Sequence, residues 1–205
     1  MDALSDEFYA ARERDLRKRL KPKRFRHVQG VAQAALDMAR AYGVDARKAH
    51  LAGLLHDWDK CYHDDEIRRR ALDLGLEVDP LVLDDIPQVL HGHTAAVALG
   101  REFPELPADV LQAIDRHTTG ACDMTDLDMI VYVADAIEPS RTYGEVDKLR
   151  GLVGKVPLEE LFLKTYQHCF AMLVDRGKCM DPQTVIVWNH YAARAQKASG
   201  KGGKA

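Results

Sequence analysis

The chain has 205 residues, 46% of them hydrophobic and 30% charged, with a formal net charge of −3. That length suits one domain, or one with a small appendage, and allows a real core. The slightly negative balance argues against electrostatic binding of nucleic acid, and no apolar run approaches the roughly 20 residues needed to cross a bilayer.

Nearly every segment reads at helical period and strand signals are almost absent, so the expected fold is a compact all-α bundle of about nine helices. Ser5 is placed to cap a first helix carrying Phe8, Tyr9, Leu16 and Leu20. Its basic end, RKRLKPKRFR, admits two readings: a phosphate-binding patch, or, more ordinarily, a solvated helix face with a hinge at Pro22. A second helix is expected over 24–42, with Val28, Val31, Ala35, Met38 and Ala39 on one side and Gly43 as its stop. A third starts at the cap Asp45 and carries Ala49, Ala52 and Leu55 into the pair His56–Asp57. Asp64 and Asp65 read as the cap of DDEIRRRALDLG, which ends at Gly75, and Pro80 and Pro87 bracket a loop-like piece. The helices QVLHGHTAAVALG and ADVLQAIDRH follow, then the turn TTGACDM. Thr125 caps the most apolar helix, DLDMIVYVADAIEPS, which must stop by Pro139. Two late helices, 158–175 and 182–198, flank RGKCMDP. Along the chain, 1–22 forms an N-terminal helix and hinge, 23–198 the main domain, and 199–205 a basic, disordered tail.

Cys61, Cys122, Cys169 and Cys179 are scattered, with no C-x-x-C pair. The opening MDALSDEFYA has neither a basic nor an apolar export region, so a reducing cytoplasm is the expected setting. The nine histidines are more suggestive, because imidazole is the commonest metal ligand and the usual proton carrier near neutral pH. Asp135 occupies the costliest position: it interrupts IVYVADAI, and an unpaired buried carboxylate costs several kcal/mol. Something cationic should meet it, by ordinary frequency an arginine or a helix cap. Taken singly, His27, His56 and Asp57 read as core histidines or a helix-terminal acid. Together with Asp135 they supply two imidazoles and two carboxylates from three apolar helices. Such mixed N/O donors suit Fe, Mn, Co or Zn better than Ca or Mg.

The ordered set H…HD…H…H…D, here His27, His56–Asp57, His91, His117 and Asp135, resembles the HD-domain metal-dependent phosphohydrolases. The stretches RFRHVQGVAQAALDMARAYGVDARKAHLAGLLHDWDK, HGHTAA and DRHTTGACDMTDLDMIVYVADAIEPSR, with the ending RGKCMDPQTVIVWN, are similar to the YqeK-type symmetrical diadenosine tetraphosphate hydrolases over roughly 20–190. The resemblance implies an all-α HD-domain helical bundle over 23–198. It implies a cation, iron or else Mn, Co or Zn, held by His27, His56, Asp57 and Asp135. It further implies a nucleoside diphosphate moiety near His91, His117, Thr118 and Arg141, with adenine against the stretch Lys178, Cys179, Met180, Asp181, Pro182 and Gln183. The expected reaction splits diadenosine tetraphosphate into two ADP with a metal-activated water. Asp57 would orient that water, and His91 or His117 would protonate the leaving ADP. Lys60 is either a further phosphate contact or a solvated helix-end lysine favoured by the dipole. The resemblance leaves a homodimer open. The chain departs from the family pattern at Asp59, at His93, which makes HGH, and at Met129. Two competing expectations remain: a two-metal nucleotidase or phosphodiesterase with His91 and His117 as further ligands, and a non-catalytic nucleotide-sensing module.

Overall fold

The structure, a computed structural model, describes residues 2–200. Among these residues it is all helical, with eleven α-helices, one 3₁₀ turn and no strand. No helix is long and apolar enough to cross a membrane among the described residues. Of the expected tail, residues 201–205 lie outside the described residues.

Helix α1 (Asp6–Arg19) starts where the Ser5 hydroxyl accepts the Phe8 N–H. Helix α2 (Pro22–Tyr42) begins two residues earlier than its periodicity suggests, because Pro22 serves as a first-turn residue with its missing N–H unneeded. It ends at Gly43 in the left-handed conformation, φ 73°. Helix α3 (Ala46–Leu55) is capped by Asp45, which accepts from the N–H groups of Arg47 and Lys48. Helix α4 (Asp64–Asp73) differs from expectation at its start: His63 is the cap, and Glu66 accepts its N–H. Asp64 and Asp65 lie in the first turn, where the helix dipole favours anions.

The piece between the prolines is helical as well: α5 (Pro80–Asp85) follows the cap Asp79 and leads into the 3₁₀ turn Pro87–Leu90. Val82, Ile86 and Leu90 bury against Ile67 and Ala71 of α4, and this small second core makes a helix of a segment whose prolines suggest a loop. Then come α6 (His91–Glu102), α7 (Ala108–Arg116) and α8 (Asp126–Ile137), the last with a capping box between Thr125 and Asp128. The short α9 (Val146–Arg150) lacks a periodic signal of its own. It is fixed by Arg150, whose guanidinium donates to the carbonyls of Ile137, Glu138 and Arg141 and closes the end of α8. Helices α10 (Leu158–Asp175) and α11 (Pro182–Gly200) complete the chain.

The main core joins Val28, Val31 and Ala35 of α2, Leu51, Leu54 and Leu55 of α3, Ile114 of α7, and Ile130, Val133 and Ala134 of α8. Gly53 sets how closely α3 lies on α2, because a Cβ there would sit 2.9 Å from the Ala32 Cα. Asp59 is fully buried, and its carboxylate is bound by Arg70 at 2.6 Å and Arg19 at 3.4 Å. Arg19 also stacks over Trp58 and Arg70 over Tyr62. The residue after Trp58 is therefore the anchor that ties α1 and α4 to the turn following α3.

Replacing Arg70 with Ala leaves the Asp59 charge buried with one long contact, and should cost about 3 kcal/mol of unfolding free energy in a guanidinium titration. Replacing Lys148, whose partner Glu145 is exposed, should cost under about 1 kcal/mol.

Candidate metal centre and cleft

Helices α2, α3 and α8 meet where their polar residues fall. His27 lies on the inner face of α2. His56 terminates α3 with helical φ and ψ, so Asp57 follows it directly into the same space. Asp135 sits in the last turn of α8. The donor atoms converge. His27 Nε2 lies 3.0 Å from Asp135 Oδ1 and 3.6 Å from Asp57 Oδ2. His56 Nε2 lies 3.4 Å from Asp57 Oδ2 and 3.9 Å from Asp135 Oδ1. Two groups of donors, His27–His56–Asp135 and His56–Asp57–His117, each fall within 4.8 Å of one another.

Every imidazole here is held from behind through Nδ1. His56 donates to Gly53 O at 2.7 Å, His117 to Ile114 O at 2.7 Å, and His91 to Gln88 O at 2.7 Å. His27 Nδ1 meets Glu138 Oε1 at 3.0 Å. These partners place the proton on Nδ1 and turn the Nε2 lone pairs inward. Glycine makes room for two of the contacts. A Cβ on Gly30 would fall 2.7 Å from Glu138 Oε2, and one on Gly92 would fall 3.0 Å from His117 Cε1.

Nε2 of His27 and of His56 are buried and lack a well-aligned hydrogen bond. Two orphaned lone pairs beside two carboxylates are what a cation with N and O ligands requires, so the residues present fit such an ion. Burial alone would raise the Asp57 carboxyl, but His56 and His91 hold it well below the usual carboxylate range. Burial acts the same way on Asp135, and His27, His56 and Arg141 overcome it. Burial lowers His117, helped by its imidazole neighbours, and lowers His91, helped by Lys60.

A cleft of about 520 Å³ opens onto this centre, lined by Asp57, Lys60, His91, His117, Thr118, Asp135 and Arg141 among others. Arg141 binds Asp135 at 2.6 Å, the cationic partner that the Asp135 position calls for. Lys60 Nζ reaches Gln88 O at 3.3 Å and lies 3.2 Å from His91 Nδ1, and burial pulls its pKa down. His91 Nε2 lies 3.0 Å from Asp57 Oδ1 and 3.0 Å from His117 Nε2. His93 points elsewhere, onto Asp115 at 2.7 Å.

The stretch Lys178–Gln183 is not part of the cleft wall. Lys178 and Cys179 are exposed, whereas Asp181, Pro182 and Gln183 line a separate pocket of about 430 Å³ with His93. Thr184, the next residue, does line the cleft. Two residues of the site go unremarked in the sequence. Arg24 lines the cleft with Nη1 2.8 Å from Asp57 Oδ2, and Glu138 orients His27. Both stand one helical turn from a proposed ligand, Arg24 before His27 and Glu138 after Asp135, and that i,i+3 spacing was the available signal.

The family model described as HD domain matches residues 24–140. The chain is 30% identical over 175 residues to a Bacillus subtilis protein named bis(5'-nucleosyl)-tetraphosphatase, symmetrical, covering 85% of this chain and 92% of that one. A Halalkalibacterium halodurans protein of the same name is 32% identical, over 81% of this chain and 87% of its own length. Among solved structures, a Clostridium acetobutylicum protein described as a predicted HD superfamily hydrolase involved in NAD metabolism superposes with a TM-score of 0.83 at 30% identity, covering 91% of this chain and 97% of that one.

Replacing Glu138 with Ala removes the acceptor behind His27. Competition against a chelating dye should show cation affinity falling about 10- to 100-fold, and the melting point of the cation-free protein should fall as well, because Ser140 and His27 lose a buried acceptor.

Proposed function

The chain belongs to the HD-domain family, and from that membership we propose that it hydrolyses diadenosine tetraphosphate symmetrically to two ADP. The observation that carries this reading is the convergence of His27, His56, Asp57 and Asp135 at the floor of a cleft whose remaining polar groups suit phosphate. The names of the relatives point the same way.

The proposed ligands are those four residues, and iron is our choice of metal, with Mn, Co and Zn sharing its taste for N and O donors. A bound cation supplies Lewis acidity toward a phosphoryl oxygen and lowers the pKa of water. The chain's own groups do the rest. Asp57 orients the attacking water through a carboxylate oxygen. That water's oxygen joins one inner phosphorus as the water gives up a proton to the histidine pair, the central P–O bridge breaks, and the pair returns a proton to the departing ADP oxygen. His91 and His117 are the proton carriers, since their Nε2 atoms face each other at 3.0 Å and only a proton or a cation between them relieves the lone-pair repulsion. Arg24 and Arg141, which pair with Asp57 and Asp135, would be free to turn toward phosphate if a cation took over those carboxylates, and a guanidinium offers phosphate two parallel donors. Lys60 adds a third positive charge and Thr118 a hydroxyl in the same cleft, and a base reaching beyond it into the neighbouring pocket would meet the Lys178–Gln183 stretch.

The facing histidines also support a second reading, a two-cation centre with His91 and His117 as ligands. The metal count per chain separates the two. The four cysteines are free thiols, in keeping with a cytoplasmic setting.

Incubating the metal-loaded protein with diadenosine tetraphosphate and resolving the nucleotides by ion-exchange chromatography should give ADP alone. Asp57→Ala should abolish turnover. AMP together with ATP would mean asymmetric cleavage and a different enzyme.

A further inference from the structure

The cleft is lined by Arg24, Lys60, Arg141 and Arg176, and also by an aromatic and apolar patch, a second wall made of Tyr143, Phe170 and Leu173. We propose that this patch is the seat of one nucleobase of the substrate, distinct from the Lys178–Gln183 stretch. The proposal rests on the reading of the protein as a dinucleoside polyphosphate hydrolase.

The aromatic side chains are braced before any ligand arrives. Tyr143 lies parallel to His168, centroids 4.5 Å apart, and its hydroxyl donates to Ala136 O at 2.7 Å. Phe170 leans on Trp188 with centroids 5.8 Å apart and 29° between planes. Fixed orientation lowers the entropic cost of receiving a flat ligand. The last turns of α10, CFAMLV, are apolar yet not buried: Phe170, Met172 and Leu173 are half-buried and Val174 is 54% exposed. Such a surface contributes nothing to holding phosphate. A nucleobase, with an apolar π face that stacks on aromatic rings, is the part of the substrate that fits it. Tyr143, two residues after Arg141, lines the same cleft as that arginine.

A further reason lies in the substrate. A dinucleotide cut at its midpoint carries two bases, and one chain must hold them at unlike places on either side of the centre. The Lys178–Gln183 stretch borders its own pocket with His93 and serves at most one of them. The aromatic wall gives the other a place.

The test uses the metal-loaded full chain. Phe170→Ala should raise KM for diadenosine tetraphosphate about tenfold or more. Its kcat should stay within about twofold, because the base is remote from the bond that breaks. Inhibition by inorganic tetraphosphate should be unchanged, and Phe170→Tyr should restore the parent KM. If Phe170→Ala folds poorly, Phe170→Leu keeps the volume without the π face and should move KM in the same direction. An unchanged KM overturns the proposal. So does a loss of tetraphosphate inhibition in parallel with KM, which would make the wall structural only. If the parent protein turns over no diadenosine tetraphosphate, the functional reading fails by itself. The wall is then judged by calorimetric binding of ADP, which should weaken in Phe170→Ala and, if equal in both, sinks the wall too.

Discussion

The structure depends on how its central imidazoles are held. His27, His56, His91 and His117 each have Nδ1 fixed by a backbone carbonyl or by Glu138, and each therefore sends Nε2 toward one small space. Free imidazoles would rotate and take their own hydrogen bonds. Here the rotation is prevented by groups one turn away or on the adjoining helix, and the fold is arranged to bring those groups up. Gly53 lets α3 close on α2, Gly30 admits Glu138, and Gly92 lets α6 pass beside His117.

Charge follows from the same arrangement. Two carboxylates are brought into a largely buried space, Asp57 almost completely and Asp135 with 28% of its side chain exposed. Such carboxylates must be compensated. Arg24 and Arg141 provide the balance from the cleft side, each reaching one of the two acids. Neither guanidinium is locked away, since each keeps over a third of its side chain exposed. The pairing that keeps the protein neutral at its centre thus also keeps two phosphate-seeking groups at the mouth of the cleft. Arg150, by contrast, is spent on carbonyls, closing α8 so that Asp135, Glu138 and Arg141 stay in register.

The sequence made the centre legible because polar residues on apolar helices are expensive and thus conspicuous. His56–Asp57 after a leucine run and Asp135 inside IVYVADAI could be read in this way, and His91 was separable from His93 through the resemblance. Asp59 was opaque, since its arginine partners lie 40 positions before it and 11 after it. Helix α5 was hidden by its flanking prolines, which signal a break unless the second core that Val82 and Ile86 join is known. The aromatic wall was invisible for a related reason: Tyr143 and Phe170 come from separate segments, and nothing in either says that they share a cleft.

His27, His56, Asp57 and Asp135 form one preorganised candidate cation site, and His56, its most enclosed member, should be indispensable to it. Metal per chain, measured by plasma mass spectrometry after reconstitution and desalting, tests it most directly. One equivalent in the parent protein and almost none in His56→Ala is the expected result. Failure to retain any metal, or retention undiminished in His56→Ala, would contradict it.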